Sequence, residues 1–128
     1  MKSQENYDRG LLYITYLLIN SDEEISENEL SFLHKMRVEE GISDEIFADH
    51  FASLLEKSEQ EIYQIGIDSI NLCTDEQKLK IFARLYQMAL VDKILRVKEV
   101  RFILYAIKIT RVDINVVVQM VQLKKMAA

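Results

Sequence analysis

Apolar residues recur along this chain at helical spacing, and no segment alternates with period two for long. Tyr7 to Ile19 is nearly apolar all round, which predicts a helix buried on most sides rather than a surface one. Asn20-Ser21-Asp22-Glu23-Glu24 ends it. Ser26 precedes Glu29 by the spacing of a capping box and opens a second helix. That helix turns Leu30, Leu33 and the Met36–Val38 edge inward and stops at Gly41. Ser43-Asp44 opens a third, with Ile46, Phe47, Phe51, Leu54 and Leu55 on its apolar side. A fourth, around Glu59 to Leu72, shows Ile62, Ile65 and Ile70 with polar residues between. Thr74-Asp75-Glu76-Gln77 caps a fifth that runs through Ile81, Phe82, Leu85, Met88 and Ala89 to about Val91. A sixth covers roughly Val97 to Thr110, and Asp113 caps a seventh through Val116, Val117, Met120, Val121 and Leu123. The pattern predicts an all-α bundle of about seven helices.

The pattern also repeats. Residues 11–46 and 81–116 align at a constant offset of seventy, with Tyr16 on Tyr86, Asp22 on Asp92, Glu29 on Glu99 and Phe32 on Phe102. Apolar positions follow at Leu11/Ile81, Leu12/Phe82, Leu18/Met88, Ile25/Leu95, Leu30/Val100, Leu33/Ile103, Ile42/Val112 and Ile46/Val116. Two halves related by a pseudo-twofold axis are expected. Matched apolar positions say only that both halves build a core. The matched acids are not needed for packing, so function is sought there.

Composition narrows the class. At 128 residues the chain is expected to be a single domain, 1–128, long enough for one hydrophobic core. It has no Pro and only three Gly, which favours helix and starves β-turns. The longest apolar run, Leu11 to Ile19, is about half of what a bilayer-spanning helix needs, so no membrane insertion is expected. Met1 to Gly10 lacks the apolar stretch of a signal peptide, and the single Cys73 reads as a small core hydrophobe. A cytoplasmic location follows as the expectation. The net charge of −5 divides unevenly: residues 1–64 hold five Lys/Arg against fifteen Asp/Glu, and residues 65–128 hold eleven against six. Opposite halves can attract within one domain, or form a bipolar surface that steers partners. No basic–aromatic stripe supports nucleic-acid binding.

Both copies read Asp-x-x-Ile/Leu-x-x-x-Glu, from Asp22 to Glu29 and from Asp92 to Glu99. On a continuous helix the two carboxylates would stand about 10 Å apart, too far for one ion. In a helix–loop–helix corner the Asp ends one helix and the Glu lies in the first turn of the next, so both can face one small space. Ile25 or Leu95 would then plug the corner into the core. Three readings stay open: helix caps and surface charge, a cation site, or a surface that docks a partner. Capping explains Glu29 through Ser26, but Arg96 replaces that Ser in the second copy and Glu99 persists. If metal binds, oxygen-only ligands call for a hard cation, Ca²⁺ or Mg²⁺, and the spacing is not that of an EF-hand. Lys93, Arg96 and Lys98 surround the second pair and compete as counter-charges.

The duplicated corner, with the approach Leu85-Tyr86-Gln87-Met88-Ala89-Leu90-Val91-Asp92, resembles the TerB-like domain of tellurite-resistance proteins, also found in membrane-anchored J-domain co-chaperones. The resemblance spans about residues 8–120. It implies an all-α fold with pseudo-twofold halves, and acidic residues that bind divalent metal or serve stress-linked assemblies. By position those residues are Asp22, Glu29, Asp92 and Glu99, the candidate metal ligands. The family has Gly after each Asp, where Glu23 and Lys93 stand here.

Other motifs are bland. His34 and His50 lack metal-ligand spacing and are assigned solvent-edge or core roles. The tyrosines are expected at core edges with hydroxyls facing out. No phosphate loop, nucleophile elbow or paired Cys motif is present, so the chain reads as non-enzymatic. A protein partner is expected, and the apolar Val116–Met126 helix either covers the core or mediates self-association into a homodimer.

Overall fold

The structure is a computed structural model that describes residues 2–20, 27–91 and 97–127. Among the described residues it is all-helical, with seven helices and no strand. In chain order these are α1 (Lys2–Asn20), α2 (Glu27–Glu39), α3 (Asp44–Leu55), α4 (Glu59–Asn71), α5 (Asp75–Val91), α6 (Val97–Thr110) and α7 (Ile114–Ala127). No helix among the described residues is long and apolar enough to cross a membrane.

Local chemistry sets the boundaries. Ser58 and Glu61 close a reciprocal capping box on α4, and Thr74 and Gln77 do the same for α5 at 3.0 and 3.2 Å. Ser43 accepts from the Ile46 N–H to open α3, and Asp113 accepts from the Asn115 N–H ahead of α7. The stops of α2 and α6 are alike. Gly41 has φ +70° and Arg111 φ +59°, and the amides of Ile42 and Val112 reach back to the carbonyls of Arg37 and Ile107 at 3.0 and 3.1 Å. The Gly41 N–H also donates to the Val38 carbonyl, which completes a Schellman motif. These stops, and the starts of α2/α6 and α3/α7, fall seventy residues apart.

The two long helices α1 and α5 are the spine of one core. α1 packs most extensively on α4 and also touches α3 and α5, while α5 packs on α7, α1, α2 and α6. Leu11, Leu12, Ile14 and Leu18 from α1 are fully buried, with Ile81, Phe82 and Leu85 from α5. The unbroken burial of Leu11 to Thr15 explains why α1 is apolar on nearly every side. α1 and α4 approach closely through two glycines. A Cβ on Gly66 would fall 2.8 Å from Ile14 Cδ1, and one on Gly10 would fall 2.9 Å from Ile70 Cγ1. Cys73 is buried as expected, with its thiol donating to the Ser69 carbonyl and its pKa pushed up by burial.

Three expectations about the core are corrected. Val38, Ile46 and Leu55 are exposed, Leu55 by 76%. α3 meets α1 through the stripe Phe47, Phe51 and Leu54, and Ile46 and Leu55 sit to either side of it. On α2 the inward positions are Leu33 and Met36, and Val38 lies most of half a turn away from Met36. The tyrosines also differ. Tyr7 and Tyr13 are buried, and their hydroxyls donate inward to Glu40 (2.8 Å) and Ser53 (3.2 Å).

Candidate functional site

Asp22 and Asp92 lie outside the described residues. Glu29 and Glu99 fall within α2 and α6, two residues past each helix start, but their side chains too lie outside what is described. The described helices nevertheless frame both corners. α1 ends at Asn20 and α2 begins at Glu27; α5 ends at Val91 and α6 begins at Val97. In sequence each Asp follows the last described residues of a long core helix, and each Glu falls in the first turn of the next helix. Among the described residues no group of three His, Cys, Asp or Glu side chains is arranged to hold a metal ion.

The best-formed polar site among the described residues lies elsewhere, where α5 meets the end of α2. Arg84 extends from α5 and is only 12% exposed. Its Nε and one terminal nitrogen donate to Glu40 Oε1 at 3.0 and 2.8 Å, and the other terminal nitrogen donates to Glu39 Oε2 at 3.0 Å. The second Glu40 oxygen accepts from the Tyr7 hydroxyl of α1. One guanidinium thus binds two adjacent carboxylates, and a buried phenol completes the coordination of the inner one. Burial works against the Arg84 charge, but the hydrogen bonds and charges of Glu40 and Glu39 outweigh it and raise its pKa. The Tyr7 phenol is held well above its ordinary range, by burial first and then by its bond to Glu40.

Around this cluster opens a groove of about 380 Å³ lined by Glu39, Glu40, Lys80, Ala83, Arg84, Gln87, Met120 and Val121. Its lining mixes both signs of charge with the apolar side chains of Ala83, Met120 and Val121.

A second pair of titratable groups, Asp8 and His50, lies near this cluster. Asp8 is buried and accepts from Gln4 Nε2 at 2.9 Å; burial raises its pKa, partly offset by Gln4 and His50. His50 stands edge-on to the Tyr13 ring, and its pKa is lowered by burial and by Arg9 against the pull of Asp8 and Asp49. His50 is thus half-buried at the edge of the core, between the solvent-edge and core roles expected of it. His34 is exposed beside Arg37.

Neither a family model, a curated protein nor a solved structure matches the chain. Arg84 and Glu40 fall outside the matched positions of the sequence, and Tyr7 is expected there only at a core edge with its hydroxyl outward. The signal for the two charges is a break in the matched pattern: Arg84 stands opposite buried Ile14, and Glu40 opposite buried Thr110. Two charges at positions where the other copy is buried mark an ion pair that one half has and the other lacks.

Proposed function

We propose that the chain is a non-enzymatic, TerB-like helical module of two repeated halves, 11–46 and 81–116. Its acidic corners present Asp22, Glu29, Asp92 and Glu99 to a divalent cation, Ca²⁺ or Mg²⁺, or to a docking protein of a stress-linked assembly. The observation that carries this reading is the agreement of backbone events at one offset. Helix starts at 27/97 and 44/114, left-handed stops at 41/111, and the amide bonds at 42/112 recur together. Such agreement is expected of a repeat and is not required by a shared helical class. It supports placing the two Asp–Glu pairs at equivalent corners, where an all-carboxylate donor set suits a hard cation.

The experiment is thermal unfolding with and without excess Ca²⁺, Mg²⁺ or Mn²⁺. An ion held at about a hundred times its Kd stabilises the fold by ~2.7 kcal/mol. For a domain of this length that raises the midpoint by roughly 5 to 15 °C. The shift should vanish in Asp22→Asn/Asp92→Asn. The alternative is an interaction module without metal, favoured by Lys93, Arg96 and Lys98 beside the second pair. It predicts no shift with any of the three ions.

A further inference from the structure

The exposed faces of α6 and α3 carry opposite charge on matched spacings. On α6, Arg101, Leu104, Tyr105, Lys108 and Ile109 are all exposed and recur at the intervals of a single helical stripe. Leu104 is 49% and Tyr105 58% exposed, and Tyr105 stacks on Tyr63 of α4 at 6.1 Å, which widens the apolar surface. On α3 and its C-cap the exposed stripe is Glu45, Ala48, Asp49, Ala52, Leu55 and Glu56. Among the described residues none of Arg101, Lys108, Glu45, Asp49 and Glu56 makes an ion pair. Lys57 turns to Ser53 instead, donating to its hydroxyl at 2.6 Å. Within one chain the two helices pack elsewhere, α3 on α1 and α6 on α5 and α4.

We propose that these faces bind each other between copies of this chain, α6 of one copy lying along α3 of the next. The occupant follows from charge and spacing. Arg101 and Lys108 are seven residues apart, and so are Asp49 and Glu56. Glu56 keeps right-handed helical backbone, so each pair spans about 10 Å along its helix. Between the two bases stand the large side chains Leu104 and Tyr105; between the two acids the stripe has only Ala52, with Ala48 a turn before it. A raised apolar centre thus meets a shallow one, with opposite charges at both ends. Laid antiparallel, Lys108 meets Asp49 and Arg101 meets Glu56, and the exposed Arg111 just past α6 comes to Glu45. Because the faces are unlike, the contact is head-to-tail, and two copies can close it on each other or pass it on. The proposal needs neither the cation site nor the repeat.

The test is analytical sedimentation of the full chain over a range of concentrations at low salt. The wild type should associate, and the association should loosen as salt approaches about 1 M, where charges are screened within ~3 Å. Arg101→Glu/Lys108→Glu and Asp49→Lys/Glu56→Lys should each weaken it about tenfold or more. Lys35→Glu/Lys80→Glu makes the same change in net charge as the first variant at exposed sites on α2 and α5, and should have little effect. An equal mixture of the two double variants should associate again, because each then offers the face that the other lacks. So should the chain carrying all four substitutions. Circular dichroism checks that both double variants keep their helices. A wild type that stays monomeric, or a Lys35/Lys80 control that weakens association as much as the α6 variant, would overturn the proposal. Helical double variants that do not recover on mixing would also overturn it. Association indifferent to both double variants would do the same and make α7 the interface.

Discussion

Arg84 joins the two halves of the charge pattern at a single residue. It belongs to the basic half of the sequence, and its partners Glu39 and Glu40 close the first helix pair of the acidic half. The within-domain attraction expected from the charge asymmetry thus has at least one concrete instance. Breaking a buried ion pair costs about 3–5 kcal/mol and an exposed one under about 1 kcal/mol. Here Glu40 is 16% exposed and Glu39 37%, so Arg84→Met should lose about 2 kcal/mol in urea unfolding. Arg84→Lys should recover little, because an ammonium cannot fork across two carboxylates. A double-mutant cycle with Glu40→Gln should show coupling above ~1 kcal/mol. Additive losses would mean that the pair is a surface contact and that the halves are held by apolar packing alone. None of this was legible from matching positions between the copies. The search for agreement passes over a charge that one copy has and the other lacks.

At the scale of the element, the sequence was most legible where local chemistry decides alone. Ser43, Thr74 and Asp113 begin helices where their side chains can cap, and Gly41 ends one because it reaches positive φ without strain. Less legible was which apolar residues of a surface helix turn inward. Ile46 and Leu55 fit the composition of a core, but α3 has a single neighbour to pack on with any extent, and Phe47, Phe51 and Leu54 already fill that contact. The end of α6 at Thr110 was legible, but the left-handed backbone of Arg111 that follows it was not, because an Arg gives no signal for φ +59°. The two stops yield opposite expectations for one class of substitution. Gly41→Ala introduces a Cβ that meets nothing within 4 Å, so the loss is the left-handed backbone cost of about 1–2 kcal/mol. Arg111→Gly relieves that cost and should raise stability, by less than about 1 kcal/mol because Gly also gains freedom when unfolded. Thermal midpoints that move the same way in both variants would show that the two stops are not equivalent.

Across the whole molecule, α4 lies between the two segments that the proposed repeat pairs, and it bridges them. It lies on α1 of the first and on α6 of the second, within one continuous core that draws buried residues from every helix. Two halves of this size could fold separately only if each closed its own core. Here α1 and α5 pack on each other, so neither half does. Unfolding should be a single cooperative transition, with helix content and tyrosine fluorescence coincident in urea. Gly66→Val is the sharper probe, because it pushes α4 off α1 where a Cβ alone already meets Ile14 at 2.8 Å. Overpacking of this kind costs about 1–3 kcal/mol. If α4 couples the halves, hydrogen exchange of the core amides around Ile81 and Leu85 should accelerate as much as that around Leu11 and Ile14. Protection in α5 that survives while α1 opens would show two folding units sharing a chain, with α4 belonging to the first.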